Sequence, residues 1–424
     1  MIETRRQFAR PGAFAPLTAL LLIPLVGMMA FAVDLGYIVV IQSDLQSAAD
    51  SAALAGASPL MDGYVQYNLP TQTPSQQAAI LSLAQSNARA AAKNYASCNS
   101  AGVASLTLID ADIQIGYTDG SGNFSTNSSN FPNTVKVTLR RDSSANGSLG
   151  LFFGPALGKS TADLSANAAA TIYEANVSGF QNVSNFKLGM LPMTYDVNDW
   201  KNFLATGQSP DGGKTTDSNG NPTIQIYPSV KDTGNFGLLG LDDNHVGAST
   251  ISGWISNGFT QSDLATLLSN SGAGQTPLIP LSAHNINILP SASTDGQGSW
   301  NWVGDTGLKT SDVHTLNNYV GQTYLMPLFK PYDNGTGVAA TYNGNADNGT
   351  NGYEAGNGNG SHYYYNIVQF VSVKIVSTSG ANVIVQPSPK VLDFSQITFT
   401  SIPAPAGSNG STTATTFTAP KLSQ

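Results

Sequence analysis

The sequence predicts an α+β protein: an N-terminal transmembrane helix that extends into a long amphipathic helix packed on an antiparallel sheet, followed by a larger β-rich domain. Three observations carry this. No charge stands between Arg10 and Asp34, a run longer than the ~20 residues that cross a bilayer as a helix. Beyond it, Leu35, Ile38, Val39, Ile41, Leu45, Ala48, Ala49, Ala52 and Leu54 recur at helical spacing. After about residue 105 the period changes to alternation, broken by Gly- and Asn-rich turns.

Taken in order, residues 1–12 form a tail carrying Arg5, Arg6 and Arg10. Few basic residues follow the apolar run, so the positive-inside rule puts this tail in the cytoplasm and the rest of the chain outside. Residues 13–33 read as the membrane anchor. Pro16 and Pro24 break a soluble helix but are tolerated in a membrane one. The same stretch also has the parts of a signal peptide, with Ala30-Phe31-Ala32 as a cleavage site. Against cleavage, the helical apolar pattern continues past that site. Residues 34–57 read as an exported stalk helix whose small residues Ala48, Ala49, Ala52, Ala53 and Gly56 allow close helix packing. They fit against the protein's own sheet or against a neighbouring subunit. Asp34 sits where the span ends, at a wet interface or paired with a partner helix, and Asp44 and Asp50 supply the polar face.

Residues 58–175 read as one α+β unit. Pro59 to Pro74 is expected to be a loop, and Ser75 to Cys98 a second helix capped by Ser75 or Thr73. Strands are expected at Leu106–Ile109, Ile113–Tyr117, Val135–Leu139 and Leu164–Tyr173, with Asp119-Gly120-Ser121-Gly122-Asn123 as a hairpin turn. Residues 176–402 form a second, β-rich region. Short helices are expected at Val197–Ala205, Thr250–Ser256, Gln261–Leu268 and Ser311–Tyr319. Strands are expected at Ile224–Tyr227, Tyr324–Leu328, Tyr363–Val376, Asn382–Gln386 and Gln396–Ser401. Asp333 to Gly360, dense in Gly and Asn, reads as a surface loop. Residues 403–424 read as a disordered tail.

The arginine-led apolar run, then Ala32-Val33-Asp34-Leu35-Gly36, then Leu45-Gln46-Ser47-Ala48-Ala49-Asp50-Ser51-Ala52-Ala53-Leu54-Ala55-Gly56-Ala57, resembles the N-terminal region of the Tad (tight adherence) pilus-assembly family of TadE/TadG type. Weaker likenesses run from Val135-Lys136-Val137-Thr138 through Phe152-Phe153-Gly154 to Ala166-Asn167-Ala168-Ala169-Ala170. The resemblance implies a bacterial, single-pass inner-membrane protein of the Flp/Tad pilus machinery, with its bulk periplasmic or extracellular. Its partners would be other Tad subunits or assembly proteins. The assembly residues would be Asp34, Gly36, Leu45, Ala49, Asp50, Ala52, Ala53 and Gly56. A prepilin-peptidase site of this machinery has Gly before the cut and Glu five residues after it. Here Gly12 is followed by Leu17 at that place, which speaks against processing as a major pilin.

Other chemistry is sparse. Charged residues make up 10% of the chain, against about 25% in ordinary proteins. The net charge of −8 and the lack of clustered Lys/Arg exclude nucleic acid as a partner. The Arg140-Arg141 pair reads as the end of an exposed strand. The four histidines, His245, His284, His314 and His362, are isolated, and Asp242-Asp243-Asn244-His245 reads as a polar turn. Glu3, Glu174 and Glu354 are the only glutamates, which disfavours a paired-carboxylate hydrolase. Cys98 stands alone, so no internal disulfide forms. The expectation is a protein that is not an enzyme and needs no cofactor. Asp217-Ser218-Asn219-Gly220-Asn221 and Asp333-Asn334-Gly335 leave weak Ca²⁺ binding open, although Pro228 stands where an EF-hand has its bidentate Glu. Trp300-Asn301-Trp302 and Tyr363-Tyr364-Tyr365 are core packing or, if exposed, a glycan-binding surface. A secreted or membrane-tethered hydrolase or glycan binder is the alternative reading.

Overall fold

A computed structural model describes residues 14–70, 72–103, 105–180, 187–209, 215–218, 220–227, 238–239, 248–260, 262–263, 286–287, 301–305, 310–329, 332–333, 339–340, 363–379, 382–392, 397–399, 403–408 and 415–423. Helix α1 (Phe14–Tyr67) is one unbroken element of 54 residues. At 1.5 Å per residue it is about 80 Å long. The loop expected from Pro59 does not begin there: Pro59 lies inside the helix, which runs on to Tyr67. Leu60, Met61, Tyr64 and Val65 are all buried and carry the apolar face onward. Their burial offsets the hydrogen bond that proline removes.

Helix α2 (Pro74–Ser97) begins with a capping box. The Gln76 amide donates to Thr73 Oγ1, and the Thr73 amide donates to Gln76 Oε1. Thr73 is therefore the cap, and Pro74 takes the first helical position, where its missing N–H costs nothing. Ala84, Ala88, Ala92 and Ala96 are buried, one per turn. A face of alanines lets α2 lie close against α1 over its length.

The two helices cover an antiparallel sheet. Its strands are β1 (Ile113–Thr118), β2 (Phe124–Ser125), β3 (Thr134–Arg141), β6 (Leu164–Thr171) and a C-terminal strand (Lys421–Ser423). Their order is β2-β1-β3-β6-C-terminal strand. A small hairpin, β4 (Leu149–Gly150) with β5 (Thr161–Ala162), projects between β3 and β6. Val135, Val137 and Leu139 on β3 and Ala166 and Ala170 on β6 are buried under α1. The strand expected at Leu106–Ile109 is an irregular segment ahead of a 3-10 turn, Asp110–Asp112. Leu106 and Leu108 are buried there, but the Leu106 amide bonds to Asn99 O and the Thr107 amide to Asn146 Oδ1, so no ladder forms. β3 ends at Arg141 as expected, but not as an exposed basic edge. Arg140 is ion-paired with buried Asp112, and Arg141 is buried with its guanidinium donating to Ala101 O and Gly147 O. Bound carbonyls make this burial tolerable.

A second core gathers residues between Val177 and Ile397, including Trp200, Phe203, Tyr227 and Phe259. Its sheet is built around one long strand, Tyr363–Ser379, paired with Asn301–Asp305, Thr323–Phe329 and Asn382–Pro387. Helices α3 (Val197–Thr206) and α4 (Ala248–Asn257) flank it. Gln261–Leu268 and the Asp333–Gly360 loop fall largely outside the described residues.

The expected disordered tail is a correction. Ala404–Pro405 and Thr416–Thr418 pair with Tyr173–Glu174, and Lys421–Ser423 pairs with β6. Phe417 and Ala406 are fully buried in the helix–sheet core. The region between Ala175 and residue 403 is thus inserted between β6 and the strand beside it.

Candidate functional site: the long helix and what covers it

Residues 17–33 of α1 are exposed, apart from half-buried Ala30. Leu17, Leu20, Leu21, Leu22, Ile23, Leu25, Val26, Met28, Met29, Phe31 and Val33 are all exposed. This helix is long and apolar enough to cross a membrane. An apolar surface continuous on every side of a helix has no stable place in water.

Asp34 marks the change. It is only 6% exposed. Its Oδ1 accepts the Phe152 amide at 2.8 Å, and its Oδ2 accepts the Phe153 amide at 3.1 Å. The carboxylate is thus spent on a loop of its own chain, between β4 and β5. Tyr37, one turn on, packs its ring 5.0 Å from that of Phe152.

The small-residue stripe is used within the fold. Leu45, Ala48, Ala49, Ala52 and Ala53 are fully buried against α2 and the sheet. A Cβ on Gly56 would meet Ala92 Cβ and Val135 Cγ1 at 3.1 Å, so this glycine allows three elements to meet. Asp50 is half-buried and accepts from Gln46 Nε2, which also donates to Asn167 O of β6. Gly36 differs from the rest: a Cβ there meets nothing within 4 Å. The stripe therefore builds the unit itself and is not open to a neighbouring subunit.

One polar constellation was not foreseen. Tyr64 Oη donates to Glu174 Oε1 at 2.7 Å, and the Gly407 amide donates to the same oxygen at 2.8 Å. This carboxylate joins α1, the segment after β6 and the returning tail. Burial pushes Glu174 up from its ordinary value, and its two donors offset only part of that rise. The scarcity of glutamate was the only hint in the sequence.

The remaining expectations scatter. His314 is exposed; the other histidines lie outside the described residues, as do the Asp242–His245 turn, Trp300 and the side chains of Trp302 and Tyr363–Tyr365. Among the described residues no group of three or more His, Cys, Asp or Glu gathers. Cys98 is exposed. Asp217 closes a hairpin, accepting the Asn221 amide on Oδ1 while the Gly220 amide donates to Asp217 O. Asp119 does the same with Asn123 and Gly122. Both are D-x-x-G-N turns with the glycine at positive φ, so local backbone amides already occupy the acid.

Residues 12–58 match the family model of TadE/G-like Flp pilus assembly, and residues 71–170 match a second model, of Tad-like Flp pilus assembly. Both stretches lie in α1, α2 and strands β1 to β6. No curated protein and no solved structure matches the chain.

Proposed function

We propose that this chain, whose residues 12–170 carry Tad-type Flp pilus-assembly sequence, is a membrane-anchored, non-enzymatic component of a Tad pilus assembly or adhesion system. Its N-terminal residues are cytoplasmic, residues 17–33 of α1 lie in the inner membrane, and the two folded regions stand outside. Its partners are other Tad subunits or assembly proteins. Contact with them runs through the outward faces of the helix–sheet unit and the β-rich region, because the alanine stripe is already occupied.

The continuity of α1 supports this most. Its exposed apolar half and its buried half are one helix, with no break at Ala30-Phe31-Ala32. Cleavage there would leave a helix beginning at Val33, just ahead of the Asp34 contact with the β4–β5 loop. The test is membrane fractionation with mass spectrometry of the mature N-terminus. A chain starting near Met1 and extracted only by detergent is expected. A soluble chain starting at Val33 would overturn the anchor and favour a secreted glycan binder or hydrolase.

A further inference from the structure

The loop held by Asp34 carries an exposed apolar tip. Phe152 is 65% exposed, Phe153 46% and Leu157 68%. Single exposed hydrophobics are ordinary, but three within six residues, joined by Pro155 and Ala156, form a patch that calls for a partner.

Three observations choose the partner. The first is position. Asp34 and Tyr37 fasten the loop to α1 at the height where the uncharged run ends. Leu35, Val39 and Val40 are exposed on the helix within two turns of Asp34, so the loop stands beside the end of the bare span. The second is the backbone. The Leu151 amide donates to Ser160 O, Ala156 to Phe153 O, Gly158 to Pro155 O and Lys159 to Gly154 O. Phe152 and Phe153 donate to Asp34, and Pro155 has no amide to satisfy. With most of its donors bonded within the chain, the loop can leave water at reduced cost, and a bilayer favours backbone paired in this way. A Cβ on Gly154 would meet Lys159 O at 2.2 Å, so the glycine is what allows this closure. The third is composition. Apolar Phe and Leu side chains beside an exposed lysine, Lys159, are the composition of a segment lying at the boundary between acyl chains and headgroups.

We propose that the Phe152–Leu157 turn is a second membrane contact, inserted into the outer interface beside α1. Together the helix and the turn fix how the helix–sheet unit stands on the bilayer, where one helix alone would leave it free to swivel. This rests on residues 17–33 being the membrane span.

The full chain with Cys98→Ser is reconstituted in phosphatidylcholine vesicles, with single cysteines at Val26, Phe152, Leu157 or Ser121 carrying an environment-sensitive fluorophore. Ser121 lies at the β1–β2 tip, at the end of the sheet away from Arg141 and the loop. Nitroxide lipids labelled near the headgroup are expected to quench the probes at 152 and 157 at least about twofold more than the probe at 121, with blue-shifted emission, as for side chains resting at the interface, while lipids labelled deep in the acyl chain are used to quench the probe at 26. The Leu157 probe keeps the result readable if loss of the Phe152 ring disturbs the loop. Quenching at 26 without quenching at 152 and 157 overturns this inference and leaves the anchor standing. Probes at 152 and 157 shielded from iodide but not reached by nitroxide lipids indicate a second copy on the patch and also overturn it. No quenching at 26 overturns the anchor itself, and the inference with it.

Discussion

Glu174 is where single-residue chemistry reaches furthest, because one oxygen holds α1, the segment after β6 and the returning tail. Its folded-state pKa is raised, chiefly by burial, above 4.5. An acid held more tightly protonated in the folded state stabilises the fold at low pH and loses that contribution as pH rises. The stability owed to this site is therefore complete below pH 4.5 and drains as the pH climbs past that value. Glu174→Gln keeps an acceptor for Tyr64 and Gly407 without the charge. Melting temperatures from pH 4 to 8 should show the variant gaining on the wild type as pH rises; parallel curves would refute the assignment. A second prediction sets two glycines of one helix against each other. A Cβ on Gly63 would fall 2.5 Å from Ala84 Cβ and 2.8 Å from the Phe131 ring. Gly63→Ala should destabilise by about 1–3 kcal/mol in thermal or denaturant unfolding, as overpacking does. Gly36→Ala, in open space, should be neutral or gain up to about 1 kcal/mol of helix propensity. The sequence pattern marks both residues as small and cannot separate them, because what distinguishes them lies on α2 and the sheet. Tyr64 and Glu174 were unreadable for the same reason, being 110 residues apart.

Among the elements, the two helices were the most legible. Their apolar positions recur often enough for a period to stand out, and α2 carries its start signal in Thr73-Pro74-Ser75-Gln76. Thr73→Ala should cost about 1 kcal/mol and Thr73→Ser little, by denaturant unfolding, since serine caps as well. Equal losses in both would mean that the hydroxyl is not the cap. The D-x-x-G-N hairpin at Asp119 was legible too, because the glycine and the side-chain acceptor are local. Pro59 misled because a local rule, proline as breaker, was outweighed by four buried side chains that follow it. Leu106–Ile109 misled in the opposite sense: an alternating apolar pattern needs a partner strand, and Asn99 and Asn146 took the amides instead. The helices and the sheet bury Leu45, Ala49, Ala52, Ala53 and Gly56, which the family resemblance would place in an oligomeric seam, but leave Gly36 open. A small-residue pattern tells that something packs closely there, and not whether it comes from the same chain.

For the molecule as a whole, the topology is an insertion. The β-rich region leaves after β6, and the chain returns to finish the first sheet. Strands of three residues have no readable period, and a tail rich in Pro, Ser, Thr and Gly reads as disorder until its contacts are seen. Phe417, fully buried, is what the composition hid. Ending the chain after Pro420 removes the strand that pairs with Ala169, Ala170 and Thr171 and bares the edge of β6. Exposed edges recruit other strands, so size-exclusion chromatography in detergent should show the truncated chain shifting to larger species; an unchanged monomer profile would show the edge to be protected by other means.

The closing strand also sets an order of events in time. α1 is made first, yet the sheet beneath its outer half stays open until Lys421–Ser423 emerges, about 250 residues after β6 and roughly 12–50 s later at usual synthesis rates. On the anchored topology proposed above, the nascent chain presents an unpaired strand edge at the membrane surface throughout that interval, where sister chains arrive by the same route. Folding under that topology needs either a chaperone on that edge or a β-rich region that folds fast enough to bring the two ends together.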